Sequence, residues 1–197
     1  MSEKPASYNV LGLDPGSRVM GYAVLRCEGK QMHAVEIGVL RLHETVEHPD
    51  RLERIFDLVT SLIAEYSPAA VAVETPVYGK DPLAMLKLGR AQAACILAAK
   101  LKQVAIHEYY PKMVKKSVTG NGNATKSQVA FMLDKTVHIP DEKLPADATD
   151  ALAVAWCHVQ QGRAVASAIP VVKRRGQDKR NAWSDFVDSN PTRITKH

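Results

Sequence analysis

Four acidic residues stand at positions where their chemistry could combine. Asp14 closes an apolar, strand-like run, Val10-Leu11-Gly12-Leu13, and Pro15-Gly16 turns the chain at once into a second apolar run. Glu74 closes another such run, Ala70-Val71-Ala72-Val73. Asp147 and Asp150 are three residues apart at the start of an Ala-rich helical segment, so both lie on one face of its first turn. A lone aspartate after a strand is commonly a turn residue accepting backbone N–H bonds. An acid near a helix N-terminus is favoured by the helix dipole. These explanations suit Asp14 or Asp147 singly. They do not account for two aspartates on one face of a segment that reads as buried. Four carboxylates that converge without matching arginines repel one another. A hard divalent cation with oxygen ligands, Mg²⁺ or Mn²⁺, resolves that repulsion. Two such ions can clamp the attacking and leaving oxygens of a phosphodiester. The chain offers no rival constellation. Its seven histidines make no HxxxH or HExxH pair, and there is neither a GxSxG elbow nor a GxxxxGK[ST] loop. The residue types support a hydrolytic two-metal phosphodiesterase.

A basic segment lies between the second and third of these acids. Residues 111–133 contain Lys112, Lys115, Lys116 and Lys126 with no Asp or Glu. Ser, Thr and Asn side chains between them, and the backbone N–H groups of a helix start near Thr125, could bind phosphate oxygens. A run of charge is often only a solvated face. This run lacks acids and sits between two carboxylate-bearing elements, which favours phosphate contact.

The elements that must position these groups are legible from pattern. Residues 8–14, 19–26 and 32–40 read as three strands with short turns, an antiparallel meander. Residues 50–66 carry apolar positions at helical spacing, ended by Ser67-Pro68. A short buried strand at 70–74, a long helix from Asp81 to Leu101 and a strand at 104–109 come next, the parallel part of the sheet. Helical stretches then cover 111–118, 126–136 and 147–163, the second opened by Thr125 and Gln128 at capping-box spacing. The Gly120-Asn121-Gly122-Asn123 link between the first two reads as flexible. If the strands that end in Asp14 and Glu74 are parallel neighbours, both carboxylates face the cleft at their carboxyl ends.

A chain of 197 residues with 46% hydrophobic and 24% charged residues can fill one core. No apolar run spans a bilayer and no signal core opens the chain, so a cytoplasmic protein is expected. Cys27, Cys95 and Cys157, odd in number and scattered, fit reduced and mostly buried thiols. Of the net charge of +5, residues 171–197 carry +4. Such a tail binds polyanions or is merely solvated and disordered. The division expected is a leader over 1–7, a folded domain over 8–163 and a basic tail over 164–197.

Together these residues resemble the RuvC Holliday-junction resolvases, of the ribonuclease-H-like fold, over roughly 8–163. The motifs are Gly12-Leu13-Asp14-Pro15-Gly16-Ser17, Val73-Glu74, Leu86-Lys87-Leu88-Gly89-Arg90-Ala91-Gln92, Lys126-Ser127-Gln128-Val129 and Asp147-Ala148-Thr149-Asp150-Ala151-Leu152-Ala153. The resemblance implies an α/β fold whose five-stranded mixed sheet, three strands antiparallel and two parallel, is flanked by helices. It implies that Asp14, Glu74, Asp147 and Asp150 are catalytic metal ligands, with about two Mg²⁺ per subunit and Mn²⁺ as a substitute. Lys115 and Lys126 match lysines that contact DNA near the scissile phosphate, and Lys126 joins the catalytic set. The 81–101 helix matches a dimerisation helix. The implied activity is a crossover junction endodeoxyribonuclease. It resolves four-way junctions in recombination and repair by symmetric nicking of two strands of like polarity, leaving 5′-phosphate and 3′-hydroxyl ends. A homodimer and a RuvA–RuvB branch-migration complex as partner are implied too, and no membrane. The chain departs from the family where an aromatic commonly lies three positions after the catalytic glutamate. Val77 stands there, with Tyr78 beside it as a substitute stacking surface. Competing readings are another ribonuclease-H-like nuclease acting on RNA–DNA hybrids or flaps, or a junction-binding protein with a silent site. A sugar-kinase-like phosphotransferase, suggested by Leu13-Asp14-Pro15-Gly16-Ser17, needs a second domain that 197 residues do not hold.

Overall fold

Strand β1 (Ser7–Asp14) lies at the centre of the sheet. It pairs antiparallel with β2 (Val19–Glu28), which pairs antiparallel with β3 (Gln31–Arg41). On its other side β1 runs parallel to β4 (Ala70–Glu74), and β4 runs parallel to β5 (Ala105–Tyr109). The strand order is therefore β3-β2-β1-β4-β5, the expected mixed sheet. Helix α1 (His48–Tyr66) connects β3 to β4, and α2 (Pro82–Leu101) connects β4 to β5. Three more helices complete the order: α3 (Pro111–Thr119), α4 (Lys126–Thr136) and α5 (Ala146–Ala168). The computed structural model describes residues 7–43, 45–77, 79, 81–139 and 144–168, with side chains through 162. Contacts group the chain into two units, Met1–Ala164 and Val165–His197, and the sheet, helices α1 to α4 and the start of α5 belong to the first. Helix α5 continues to Ala168, past the end expected at 163, and Ser7 belongs to β1 rather than to a leader. The expectations for Tyr78 and for the tail beyond Ala168 lie outside the described residues.

Two apolar layers cover the two faces of the sheet. Because side chains alternate along a strand, Leu11, Leu13, Val71 and Val73 point to α1 and α2, and pack with Ile55, Val59, Cys95 and Ala98. Val10, Ala72, Ala23 and Leu25 point the other way, to Val114, Leu133, Leu152 and Trp156 on α3 to α5. The same alternation places Gly12, Asp14 and Glu74 on the α5 side. Ser67, in the left-handed conformation, ends α1. Asp81 caps α2 through the N–H groups of Leu83 and Ala84. The Thr125–Gln128 capping box forms in full at α4. All three cysteines are buried and none is in a disulfide, as their scatter suggested. Among the described residues no helix is long and apolar enough to cross a membrane.

One local expectation needs correction. The 120–123 link is a hydrogen-bonded turn rather than a loose one. Asn121 Oδ1 accepts the Asn123 N–H at 3.0 Å, and Thr119 Oγ1 accepts the Asn121 N–H at 3.1 Å, with its one hydrogen in reach of either the Lys115 or the Asn121 carbonyl. Short polar side chains folding onto their own backbone replace the ladder that a Gly-rich link lacks.

Candidate active site

Asp14 and Glu74 end adjacent parallel strands on one face of the sheet, so their carboxylates open at the same edge. What brings Asp147 and Asp150 to them is the closeness of α5. A Cβ on Gly12 would lie 2.2 Å from the Ala151 carbonyl oxygen, and one on Gly21 would lie 1.9 Å from that of Asp147. Gly21 is the register partner of Asp14. Two glycines on neighbouring strands thus let the first turns of α5 rest on the backbone of the sheet. The turn after Asp14 is fixed from the other side: buried Arg51 of α1 donates to the Ser17 carbonyl at 3.1 Å.

The result is a carboxylate cluster. Oxygen atoms of Asp14, Asp147 and Asp150 all lie within 4.8 Å of one another. Glu74 joins Asp14 and Asp150 in lining a cleft of about 200 Å³, walled by Pro111, Val114 and Lys115 of α3 and by Lys126 and Val129 of α4. Burial, then the Asp150 charge, push the Asp14 carboxyl up to about 6 against the opposing pull of Lys126, with Asp147 adding to the rise. Burial, then Asp14 and Asp150, push Glu74 up to about 7, with Lys126 and Lys115 pulling the other way. Lys126 pairs with Asp150, and that hydrogen bond raises the ammonium pKa. These carboxylates are partly buried and close together, and among the described residues only Lys126 pairs with them. They form an oxygen-only donor set that fits a hard divalent cation. Among the described residues no Ser, Thr, Cys or His lines the cleft, an arrangement that suits water as the nucleophile.

The lysines divide. Lys115 and Lys126 line the carboxylate cleft. Lys112 and Lys116 turn away into a second groove on the opposite flank of α3. Val77, just past Glu74, is 56% exposed. The pattern of acids and lysines did not disclose Gly12, Gly21 or Arg51. For the two glycines the signal was present: a glycine within a strand marks a bulge or a close backbone approach. Nothing local distinguishes Arg51 from the other basic residues of α1.

The chain is similar to known proteins over most of its length. A family model described as RuvC, crossover junction endodeoxyribonuclease RuvC, matches residues 10–158. The protein of that name from Salinibacter ruber is 42% identical over 187 residues, covering 95% of this chain and 99% of that protein. The one from Porphyromonas gingivalis is 42% identical over 192 residues, covering 96% and 98%. Among solved structures, Thermus thermophilus RuvC in complex with a Holliday junction substrate matches with a TM-score of 0.75 and 28% identity, covering 80% of this chain and 96% of that chain. The yeast mitochondrial Holliday junction resolvase Ydc2 shares the fold, with a TM-score of 0.66 at 12% identity.

Proposed function

The chain belongs to the RuvC family of crossover junction endodeoxyribonucleases, and on that footing we propose how its carboxylate cleft cuts a Holliday junction. The protein is a Holliday-junction resolvase of ribonuclease-H-like fold, a divalent-metal-dependent nuclease that acts in recombination and repair. The finer reading concerns the residues. Asp14, Glu74, Asp147 and Asp150 hold two Mg²⁺ ions per subunit, with Mn²⁺ able to replace them. The observation that carries this is the convergence of Asp14, Asp147 and Asp150 carboxylate oxygens within 4.8 Å, with Glu74 lining the same cleft as Asp14 and Asp150. Two divalent ions there would activate water and neutralise charge on the phosphate, the chemistry of two-metal sites.

The protein's own residues do the rest. Asp14, rigid at a strand end beneath α5, fixes the centre of the donor set, and Glu74 and the α5 pair approach it from either side. Lys126, exposed apart from its pairing with Asp150, turns its ammonium to the non-bridging oxygens as charge builds on them. Lys115 on the opposite wall holds the same strand in place. The described residues of the cleft include no Ser, Thr, Cys or His, and the cut is a direct hydrolysis by water, leaving 5′-phosphate and 3′-hydroxyl ends. Helix α2 presents Leu83, Leu86, Leu97 and Leu101, each at least 51% exposed, along one face. Such a stripe suits a homodimer, which would bring two sites to a two-fold substrate for symmetric nicking of strands of like polarity. Lys112 and Lys116 contact DNA outside the cleft, and Tyr78 stacks at the crossover. The RuvA–RuvB complex is the branch-migration partner and the cytoplasm the compartment.

The test is a competition among substrates. A mobile four-way junction, a flap and an RNA–DNA hybrid of matched sequence are presented in Mg²⁺. Preferential cutting of the junction is the expected result. Preference for the hybrid or flap would overturn the junction assignment, and binding without cutting would overturn the catalytic one.

A further inference from the structure

Helix α3 is a ridge between the carboxylate cleft and a second groove lined by lysines, and the two share no residue. On one flank Pro111, Val114 and Lys115 wall the carboxylate cleft. On the other, Lys112 and Lys116 line a larger groove of about 750 Å³, closed by Asn123 of the 120–123 turn and by Gln160 and Gln161 of α5. Lys112 and Lys116 are four apart, so their side chains lie along one side of the helix. Among the described residues no acid lines this groove. Ser117, also in its wall, already donates to the Val114 carbonyl at 2.7 Å. Beside the apolar Met113, the groove's side-chain donors are two ammonium groups and three carboxamides, groups that can donate to phosphate oxygens. The turn that forms one wall is held by its own hydrogen bonds.

The width of the ridge sets what can straddle it. An α-helix with its side chains is about 10–12 Å across, and the major groove of B-DNA is about 12 Å wide. We propose that α3 lies between the two backbones of one junction arm. The cleft takes the strand that is cut, and the second groove takes the phosphates of the complementary, uncut strand. This rests on the resolvase reading and adds to it a second strand and a second surface. The uncut strand would then hold the duplex in register while the scissile phosphate enters the carboxylate cluster.

Crosslinking tests the placement. Cys27, Cys95 and Cys157 are buried, so a thiol placed by Gln161→Cys at the exposed rim of the groove can be labelled selectively with a photoactivatable aryl azide. The full-length protein is bound to an end-labelled junction in EDTA, so that no strand is cut, and irradiated. Adducts on the uncut strand are expected; adducts confined to the scissile strand, or none, would overturn the proposal. Asn123→Cys reads the same groove if the first variant does not fold. As a second measure, Lys112→Gln with Lys116→Gln should flatten the slope of log K against log[salt] by about 1–2, at roughly 0.9 per phosphate contact. The double arginine variant should keep the slope. An unchanged slope in the glutamine variant counts against the proposal. If the wild type cuts junctions in Mg²⁺ while these readouts fail, only the second groove is wrong. If it neither binds nor cuts them, the resolvase reading falls and this one with it.

Discussion

Asp14 and Glu74 hold their protons to unusually high pH because burial and neighbouring carboxylates penalise ionisation, at about 6 and about 7 respectively. The sign of the consequence is definite. Folded-state values above those of the unfolded chain mean that the folded protein binds more protons between about pH 4 and 7, so metal-free stability falls as pH rises through that window. A divalent ion displaces those protons, so its affinity should rise between about pH 6 and 7. Thermal melts across the range of about pH 5–8, with and without Mg²⁺, check both: the metal-free melting temperature should decline and Mg²⁺ should restore it most at the alkaline end. Asp14→Asn removes the central charge. Cutting should drop by more than the ~10–100-fold that loss of a supporting partner costs a metal site, while junction binding persists. The metal-free variant should be more stable than wild type at about pH 8, by about 1–3 kcal/mol at ~1.4 kcal/mol per pKa unit. Loss of binding alongside cutting would argue against a metal-ligand role. The candidate acids are legible in the chain because an acid at the end of an apolar strand is chemically conspicuous. Arg51 was not, because its bond to Ser17 depends on a contact 34 residues away.

Among elements, the distance between α5 and the sheet controls the site. The strands and helices declare themselves in the sequence through local signals: period-two runs, the Ser67-Pro68 stop, the Thr125 capping box. The parallel pairing of β1 and β4 stems from an intervening helix and fixes Asp14 beside Glu74. How far α5 descends cannot be read from its own pattern, which is apolar nearly all round. It is set by Gly12 and Gly21, on strands far earlier in the chain. The order within the 120–123 turn was likewise hidden, because Gly and Asn read as freedom until Asn121 bonds its own backbone. Gly21→Ala is the direct probe. Its Cβ would press on the Asp147 carbonyl, so α5 must lift or bend. Denaturant melts should show a loss of about 1–3 kcal/mol, and Mg²⁺ affinity should fall with it because Asp147 and Asp150 move together. Loss of stability with unchanged metal affinity would show that the α5 acids are not held by this contact.

At the scale of the whole molecule, four exposed leucines line one face of α2. On α2, Cys95, Ala98 and Ala99 are buried against α1 and the sheet, while Leu83 is 69% and Leu101 70% exposed. Leu86→Glu with Leu97→Glu should convert a dimer to a monomer by light scattering, and should turn paired cuts into single nicks. A wild-type monomer would contradict the stripe's role. That pairing bears on the assignment on which the rest depends, that the Asp14 cluster is a metal-dependent phosphodiester-cutting site serving a two-fold junction. The decisive measurement uses a mobile junction with each of its four strands separately end-labelled. Strands are analysed after incubation with wild type in Mg²⁺, wild type in EDTA, and Asp14→Asn in Mg²⁺. Paired nicks at symmetric positions on two strands of like polarity are expected in the first sample, and intact strands in the other two. Cutting that survives EDTA or the Asp14→Asn substitution would contradict the assignment.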